Sequence, residues 1–300
     1  MSDIYIYSER LDIAAELIGF ARQNHKEPYV VTFSAVAAEE LANLGANKVF
    51  YLKGESPLVE NYAKQISKFL KEQAASHFMV GATARGRDLA ARVAGYMDCG
   101  MASDLSGLTY VDDELICERI IYGGAVRQKE AFKDFCVVTV PGGLFEPVQG
   151  DCEIFTIDLK ADERVVLVER TEIPSRGNDL PTASKVVCVG LGLAEEEDLS
   201  LVNGLVDVLE GEIACTRGIA EERHWLPVER YIGISGAVIK PELYIALGVS
   251  GQIQHVYGIR ESKIIVAIDK NDKAPIFRYA DYGIVGDMYE IIPLLTDLLN

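Results

Sequence analysis

Short apolar runs alternate with segments of helical period from the first residues onward, and this alternation restricts the possible fold more than any other feature of the chain. Ile4 to Tyr7 is followed by Leu11 to Gln23, Tyr29 to Phe33 by Ala35 to Leu44, Lys48 to Leu52 by Val59 to Glu72, and Phe78 to Gly81 by Asp88 to Tyr96. Such repetition predicts a parallel sheet with helices on both faces. The rhythm then lapses. Leu108 to Val111, Glu114 to Tyr122 and Cys136 to Val140 read as strands joined by Asp112-Asp113 and glycine-containing turns, so the first domain is expected to close with antiparallel or long-crossing strands. Between Glu169 and Lys185 the residues include Pro174, Ser175, Gly177, Asn178, Asp179 and Pro181, which is a linker composition.

A second α/β series follows, with strands at Lys185 to Val189, Glu212 to Cys215, Leu243 to Leu247 and Ile264 to Ile268, and a helix over Glu195 to Leu209. Asp287 and Glu290 suggest a capping box before a terminal helix, in which Pro293 would cause a kink or a restart. The expected class is α/β with two domains, each a mainly parallel sheet flanked by helices. The first spans residues 1–184, with its linker at about 169–184, and the second spans 185–300. Single cores seldom grow much past about 250 residues, which agrees with two domains in a chain of 300.

Charge limits the partners. Asp and Glu number 46 against 29 Lys and Arg, a net charge of −17. Binding a nucleic-acid backbone needs the opposite sign, so nucleic acid is not an expected partner. Any phosphorylated ligand must be held by local donors against this field. The six cysteines are scattered through apolar runs without metal-ligand spacing and read as buried thiols. Neither a signal sequence nor an uncharged apolar run of about 18 residues is present, so the expectation is a cytoplasmic protein without membrane insertion.

Gly190-Leu191-Gly192 follows a strand as a dinucleotide fingerprint would, but Glu195 stands at the third glycine position and Glu196, Glu197 and Asp198 come next. Four acids suit a helix start and repel a pyrophosphate, so a tight strand-to-helix turn is the stronger reading. The stretch from Lys240 to Asp287 is more informative. Its strand ends in Gly248-Val249-Ser250-Gly251, and Gln252 to Val256 can start a helix. Free amides and a hydroxyl there would suit a phosphate diester without a basic side chain, the alternative being a plain turn. His255 lies in that helix start and, as a lone histidine, is more often structural. Arg217 follows a strand end, where parallel sheets carry functional loops, although a solvent-facing arginine is the commoner outcome. Arg85 and Arg87 near a helix start would meet an anion, a partner or, more commonly, a local carboxylate.

Pro241-Glu242-Leu243-Tyr244, Ser250-Gly251-Gln252-Ile253-Gln254-His255, Ala274-Pro275-Ile276-Phe277 and Ala280-Asp281-Tyr282-Gly283-Ile284-Val285-Gly286-Asp287 resemble, in order and spacing, the alpha subunit of electron-transfer flavoproteins. The resemblance extends more weakly through the chain, including Arg85-Gly86-Arg87 and Tyr122-Gly123-Gly124. Glu229 to Gly236, with His224-Trp225 upstream, resembles the branch associated with nitrogen fixation and carnitine metabolism. The resemblance implies a heterodimer with a beta subunit and a Rossmann-like FAD-binding second domain. It also implies electron shuttling between an acyl-CoA-type dehydrogenase or similar flavoenzyme and a second redox partner, without a substrate reaction of its own.

Carried over residue by residue, the resemblance puts Arg217 over the flavin, Ser235 at N5 and His255 at the pyrimidine oxygen. Thr216, Ile232, Gly233 and Ile234 would line the ring, and Ser250, Gly251, Gln252, Ile253 and Gln254 the pyrophosphate and ribityl chain. Asp287 and Met288 would meet the adenosine end, with Asp269 also among the cofactor-binding positions. A cation and an imidazole donor at the flavin would favour its reduced forms. The chain departs from the family at Leu191, where arginine is usual, at Asp269, where asparagine is usual, and at Ile234, where many members carry glutamine. Two rivals remain at this stage: an electron-bifurcating subunit using NADH through a second FAD in the beta subunit, and a nucleotide-binding regulatory module without redox activity.

Overall fold

A computed structural model describes residues 3–122, 125–162, 164–171 and 180–299. The chain divides into two compact units, Met1–Thr171 and Glu172–Asn300. Residues 172–179 of the expected linker, and Gly123 and Gly124, lie outside the described residues.

The first unit runs β1 (Asp3–Tyr7), α1 (Leu11–Gln23), β2 (Glu27–Thr32), α2 (Ala35–Leu41), β3 (Lys48–Lys53), α3 (Ala63–Glu72), β4 (His77–Gly81) and α4 (Ala84–Met97). Six strands follow: β5 (Gly100–Ala102), β6 (Gly107–Val111), β7 (Glu114–Ile121), β8 (Val126–Phe132), β9 (Cys136–Val140) and β10 (Glu153–Asp158). Seven strands form one sheet in the order β10-β3-β2-β1-β4-β9-β5, and every pairing in it is parallel. Both faces are covered, so β1 is apolar and buried from Ile4 to Tyr7. Ile4 and Ile6 pack with Leu17 and Ile18 of α1, while Tyr5 and Tyr7 pack with Ile66 of α3 and Leu89 of α4.

The antiparallel part is a separate sheet, β6-β7-β8. The expected closure is thus divided between that sheet and the parallel strand β9. Residues 59–72 begin with a 3-10 turn at Val59–Tyr62 before α3. Helix α4 starts earlier than the apolar pattern indicates, because the Thr83 hydroxyl accepts from the Gly86 amide at 2.8 Å and caps it.

The second unit runs β11 (Lys185–Val189), α5 (Leu199–Leu209), β12 (Glu212–Cys215), β13 (Leu243–Leu247), α6 (Ile253–Val256), β14 (Ile264–Asp269), β15 (Tyr282–Val285) and α7 (Met288–Leu299). The sheet order is β12-β11-β13-β14-β15, parallel throughout. Numbered within the unit this is 2-1-3-4-5, a doubly wound order whose direction reverses between β11 and β13. Ligands in such sheets sit beyond the carboxyl ends of the strands at that switch. Val187 and Val189 pack with Val202, Leu205 and Ile292 on one face, and Val186 and Cys188 with Tyr244 and Ile276 on the other.

The expected start of α7 is corrected in detail. Asp287 Oδ1 accepts from the Tyr289 amide at 2.9 Å, so the acceptor serves the second helical residue, and the helix continues through Pro293 to Leu299. Glu195 to Asp198 form a turn before α5 instead of its first residues. Among the described residues, no helix is long and apolar enough to cross a membrane, and no group of three His, Cys, Asp or Glu side chains could hold a metal.

Candidate functional site

Three loops leave the carboxyl ends of β11, β12 and β13, and their glycines show how closely the first and third approach. A Cβ on Gly190 would stand 2.2 Å from the Gly248 carbonyl oxygen, and one on Gly192 would stand 2.6 Å from Gly248 Cα. The Gly192 amide donates to the Gly248 carbonyl at 3.0 Å. The glycines between 190 and 192 therefore serve backbone-to-backbone packing across the sheet switch, and Gly248 itself adopts φ +61°. Leu191 projects from this turn, 55% exposed, against Gly218. Asp198 Oδ2 accepts from the Glu195 amide at 3.1 Å and from the Tyr289 hydroxyl at 2.5 Å, so this acidic run is held within the fold.

After β13, Gly251 has φ +79°, and a Cβ there would stand 2.3 Å from the Ile276 nitrogen. Ser250, Gln252, Ile253 and Gln254 are exposed. No acceptor among the described residues meets the amides of Ser250, Gly251 or Gln252. Helix α6 is a single turn, so its macrodipole adds little; the donors are the loop amides themselves.

The segment 231–237 joins the other two loops. The Ile232 amide donates to the Cys215 carbonyl at 3.0 Å, and the Ile234 amide donates to the Gln254 carbonyl at 2.9 Å. Gly233 has φ +152°, while Ile234 and Ser235 are exposed on the turn. On the β12 side, Thr216 Oγ1 is buried without a hydrogen-bond partner among the described residues. Arg217 is exposed and its Nε lies 2.5 Å from Glu221 Oε2; that carboxylate raises its pKa further. Hydrogen bonds thus tie Ile232 to Cys215, the residue before Thr216 and Arg217, and Ile234 to Gln254, with Gly233 and Ser235 on the same turn.

His255 has both nitrogens engaged inside the protein. Nδ1 is 3.1 Å from the Ile232 carbonyl oxygen and Nε2 is 2.7 Å from the Tyr244 hydroxyl. Burial lowers its pKa to about 4, opposed by the bond to Ile232, so the ring is neutral. In this conformation neither nitrogen is free for a ligand.

Around Asp269 and Asp287 a cavity of about 70 Å³ is lined by Gly192, Gly248, Ile268, Asp269, Lys270, Gly286 and Met288. Asp269 Oδ1 accepts from the Asn271 amide at 2.8 Å, a turn that an asparagine carbonyl would make equally well. Lys270 Nζ lies 3.0 Å from Asp287 Oδ2, and the Tyr289 amide and then Lys270 lower the Asp287 pKa. Sequence reasoning overlooked Lys270. An isolated lysine after a strand carries no pattern, yet it brings a positive charge to the cleft that Leu191 lacks.

Residues 11–172 match the electron transfer flavoprotein domain and residues 179–260 match the electron transfer flavoprotein FAD-binding domain. The chain is 36% identical over 308 residues to an electron transfer flavoprotein subunit named YdiR of Escherichia coli (strain K12), covering 100% of this chain and 99% of that protein. It is 33% identical over 306 residues to protein FixB of Escherichia coli O1:K1 / APEC, covering 98% and 97%. Against protein FixB of Shigella dysenteriae serotype 1 (strain Sd197) it is 33% identical over 309 residues, covering 99% and 98%. The chain belongs to the electron transfer flavoprotein alpha family, in its FixB branch. Membership of this electron transfer flavoprotein family implies electron transport and a beta-subunit partner.

The second unit of this electron transfer flavoprotein has features that fit a flavin dinucleotide. Gly192 and Gly248 line the cavity beside Asp269 and Lys270, the loop amides after Val249 are open donors, and Thr216 Oγ1 is a buried hydroxyl without a protein partner among the described residues. In the first unit, Arg85 faces Glu9 at 3.3 Å and Glu60 at 3.9 Å, and Arg87 makes a two-pronged pair with Asp104 at 2.5 to 3.0 Å. These arginines meet local carboxylates, the commoner of the outcomes expected from sequence.

Proposed function

We propose that this chain is the FAD-carrying alpha subunit of a cytoplasmic heterodimeric electron-transfer flavoprotein, serving an acyl-CoA-type dehydrogenase or similar flavoenzyme and a second redox partner. The observation that carries the reading is the bridge made by residues 232–234, bonded to Cys215 on one side and to Gln254 on the other. It ties the loop that carries Thr216 and Arg217 to the loop that follows the open amides of Ser250, Gly251 and Gln252.

FAD, when bound, supplies the electron-accepting and electron-donating chemistry. The chain's own residues bind and orient it. The amides of Ser250, Gly251 and Gln252 would hold the diphosphate despite the acidic field, while Asp269, Asp287, Met288 and Lys270 would shape the adenosine end. Thr216, Gly233, Ile234 and Ser235 would line the ring. Arg217 would favour added negative charge there, with its field reduced by Glu221.

The test is to purify the chain with its beta subunit and add an acyl-CoA dehydrogenase with its substrate anaerobically. Bleaching of the flavin band of the heterodimer supports the reading, and Arg217→Ala should lower the midpoint potential. Reduction by NADH with two FAD per heterodimer would move the assignment to a bifurcating subunit. A complex without flavin would instead favour a regulatory nucleotide-binding module.

A further inference from the structure

A carbonyl oxygen only accepts, so His255 Nδ1, at 3.1 Å from the Ile232 carbonyl, must carry the ring proton. In the neutral ring Nε2 is then a bare acceptor, and the Tyr244 hydroxyl at 2.7 Å must donate to it. Tyr244 is fully buried in β13 and His255 is 7% exposed, so water does not readily substitute for either partner. The other titratable group facing Nε2 is the Cys188 thiol from β11, at 4.0 Å; its pKa, like that of Cys215 on β12, is raised by burial. Among the described residues no charged side chain is bonded to His255 or Tyr244; Arg230 acts on Cys215, lowering its pKa against the larger effect of burial.

We propose that Tyr244 is a positioning residue for the cofactor site: its hydroxyl, donating to Nε2, anchors the His255 ring, and the Nδ1 proton in turn holds the Ile232 carbonyl and the exposed turn at Gly233, Ile234 and Ser235. The geometry ties three sheet-end segments in series, from β13 through the 253–256 turn to the 231–237 turn. The Ile234 amide closes the same circuit by donating to Gln254 at 2.9 Å. Without the Tyr244 hydroxyl, Nε2 loses its donor, the ring is held from one side only, and its protonation becomes easier. This inference rests on the FAD reading for its consequence but not for its test.

The full-length chain with ¹⁵N-labelled histidine, free of flavin, should show His255 as the Nδ1–H tautomer with no titration between pH 8 and about 5.5. In Tyr244→Phe, which keeps the ring, the Nδ1–H tautomer should persist and the His255 pKa should rise. The Ile234 amide should exchange with solvent about tenfold faster, while the Gly190 amide bonded to Leu247 stays protected. In the heterodimer, FAD should be released several-fold faster from Tyr244→Phe than from Tyr279→Phe, a control at an exposed tyrosine.

An Nε2–H tautomer in the wild-type chain overturns the inference without any variant, and so do an unchanged His255 pKa and unchanged Ile234 exchange in a folded Tyr244→Phe protein. If the wild-type heterodimer binds no FAD, the cofactor reading fails separately, while the tautomer and exchange results still decide the role of Tyr244.

Discussion

The Thr216 hydroxyl separates apo stability from cofactor binding. It is buried and unpartnered among the described residues, so the near-isosteric Thr216→Val removes an unmet polar group. The flavin-free chain should be equally stable or about 1 kcal/mol more stable in urea. FAD affinity should fall about tenfold if the hydroxyl meets the cofactor, because one buried hydrogen bond is lost. Leu191 offers the converse experiment. Its side chain is 55% exposed beside Gly218, so Leu191→Arg has room to extend, and FAD binding measured by fluorescence quenching should tighten about three- to tenfold. The glycine-serine loop and Arg217 were legible as residue types at strand ends. The partners of His255 were not, since they lie 11 and 23 positions away along the sequence and meet only through the sheet.

At the scale of elements, Tyr289 ties the terminal helix to the turn before α5. Its hydroxyl accepts from the Ala194 amide at 2.8 Å and donates to Asp198 at 2.5 Å. Tyr289→Phe should lower the unfolding free energy by about 1–2 kcal/mol in urea melts, with little change in far-ultraviolet circular dichroism. Strands β1, β4, β11 and β13 could be read from sequence because each is buried on both faces over nearly its whole length and so reads as an apolar run. The strands that escaped notice lack that pressure. β8 carries Arg127, Gln128, Lys129 and Glu130 on a largely exposed hairpin, and β5 is only three residues long. β10 and β15 lie at sheet edges with most side chains in solvent, where pairing with β3 and β14 sets the conformation more than residue type does. The capping of α4 by Thr83 and of α7 by Asp287 likewise depends on which amide the side chain reaches.

Across the whole molecule each unit contains one histidine kept neutral by burial. His77 in the first unit and His255 in the second both have pKa values lowered to about 4 in the folded chain, His77 by burial and then by Lys26, whereas an unfolded histidine takes its proton near 6.5. Between those values the unfolded state binds more protons. Stability is therefore full above pH 6.5 and is lost as pH falls toward 4, by up to about 3 kcal/mol for each histidine. Urea midpoints should already decline from pH 6.5 to 5; a flat midpoint over that range would contradict the burial of the two rings. The net charge of −17 at pH 7 opposes an anionic cofactor, which places the burden of retention on open amides and Lys270. The most direct measurement is the FAD content of the complex purified with its beta subunit, counted per copy of this chain. One equivalent held by this chain is expected; a second in the beta subunit, with reduction by NADH, would move the assignment to the bifurcating type. A folded, fully assembled complex with no FAD would contradict the account.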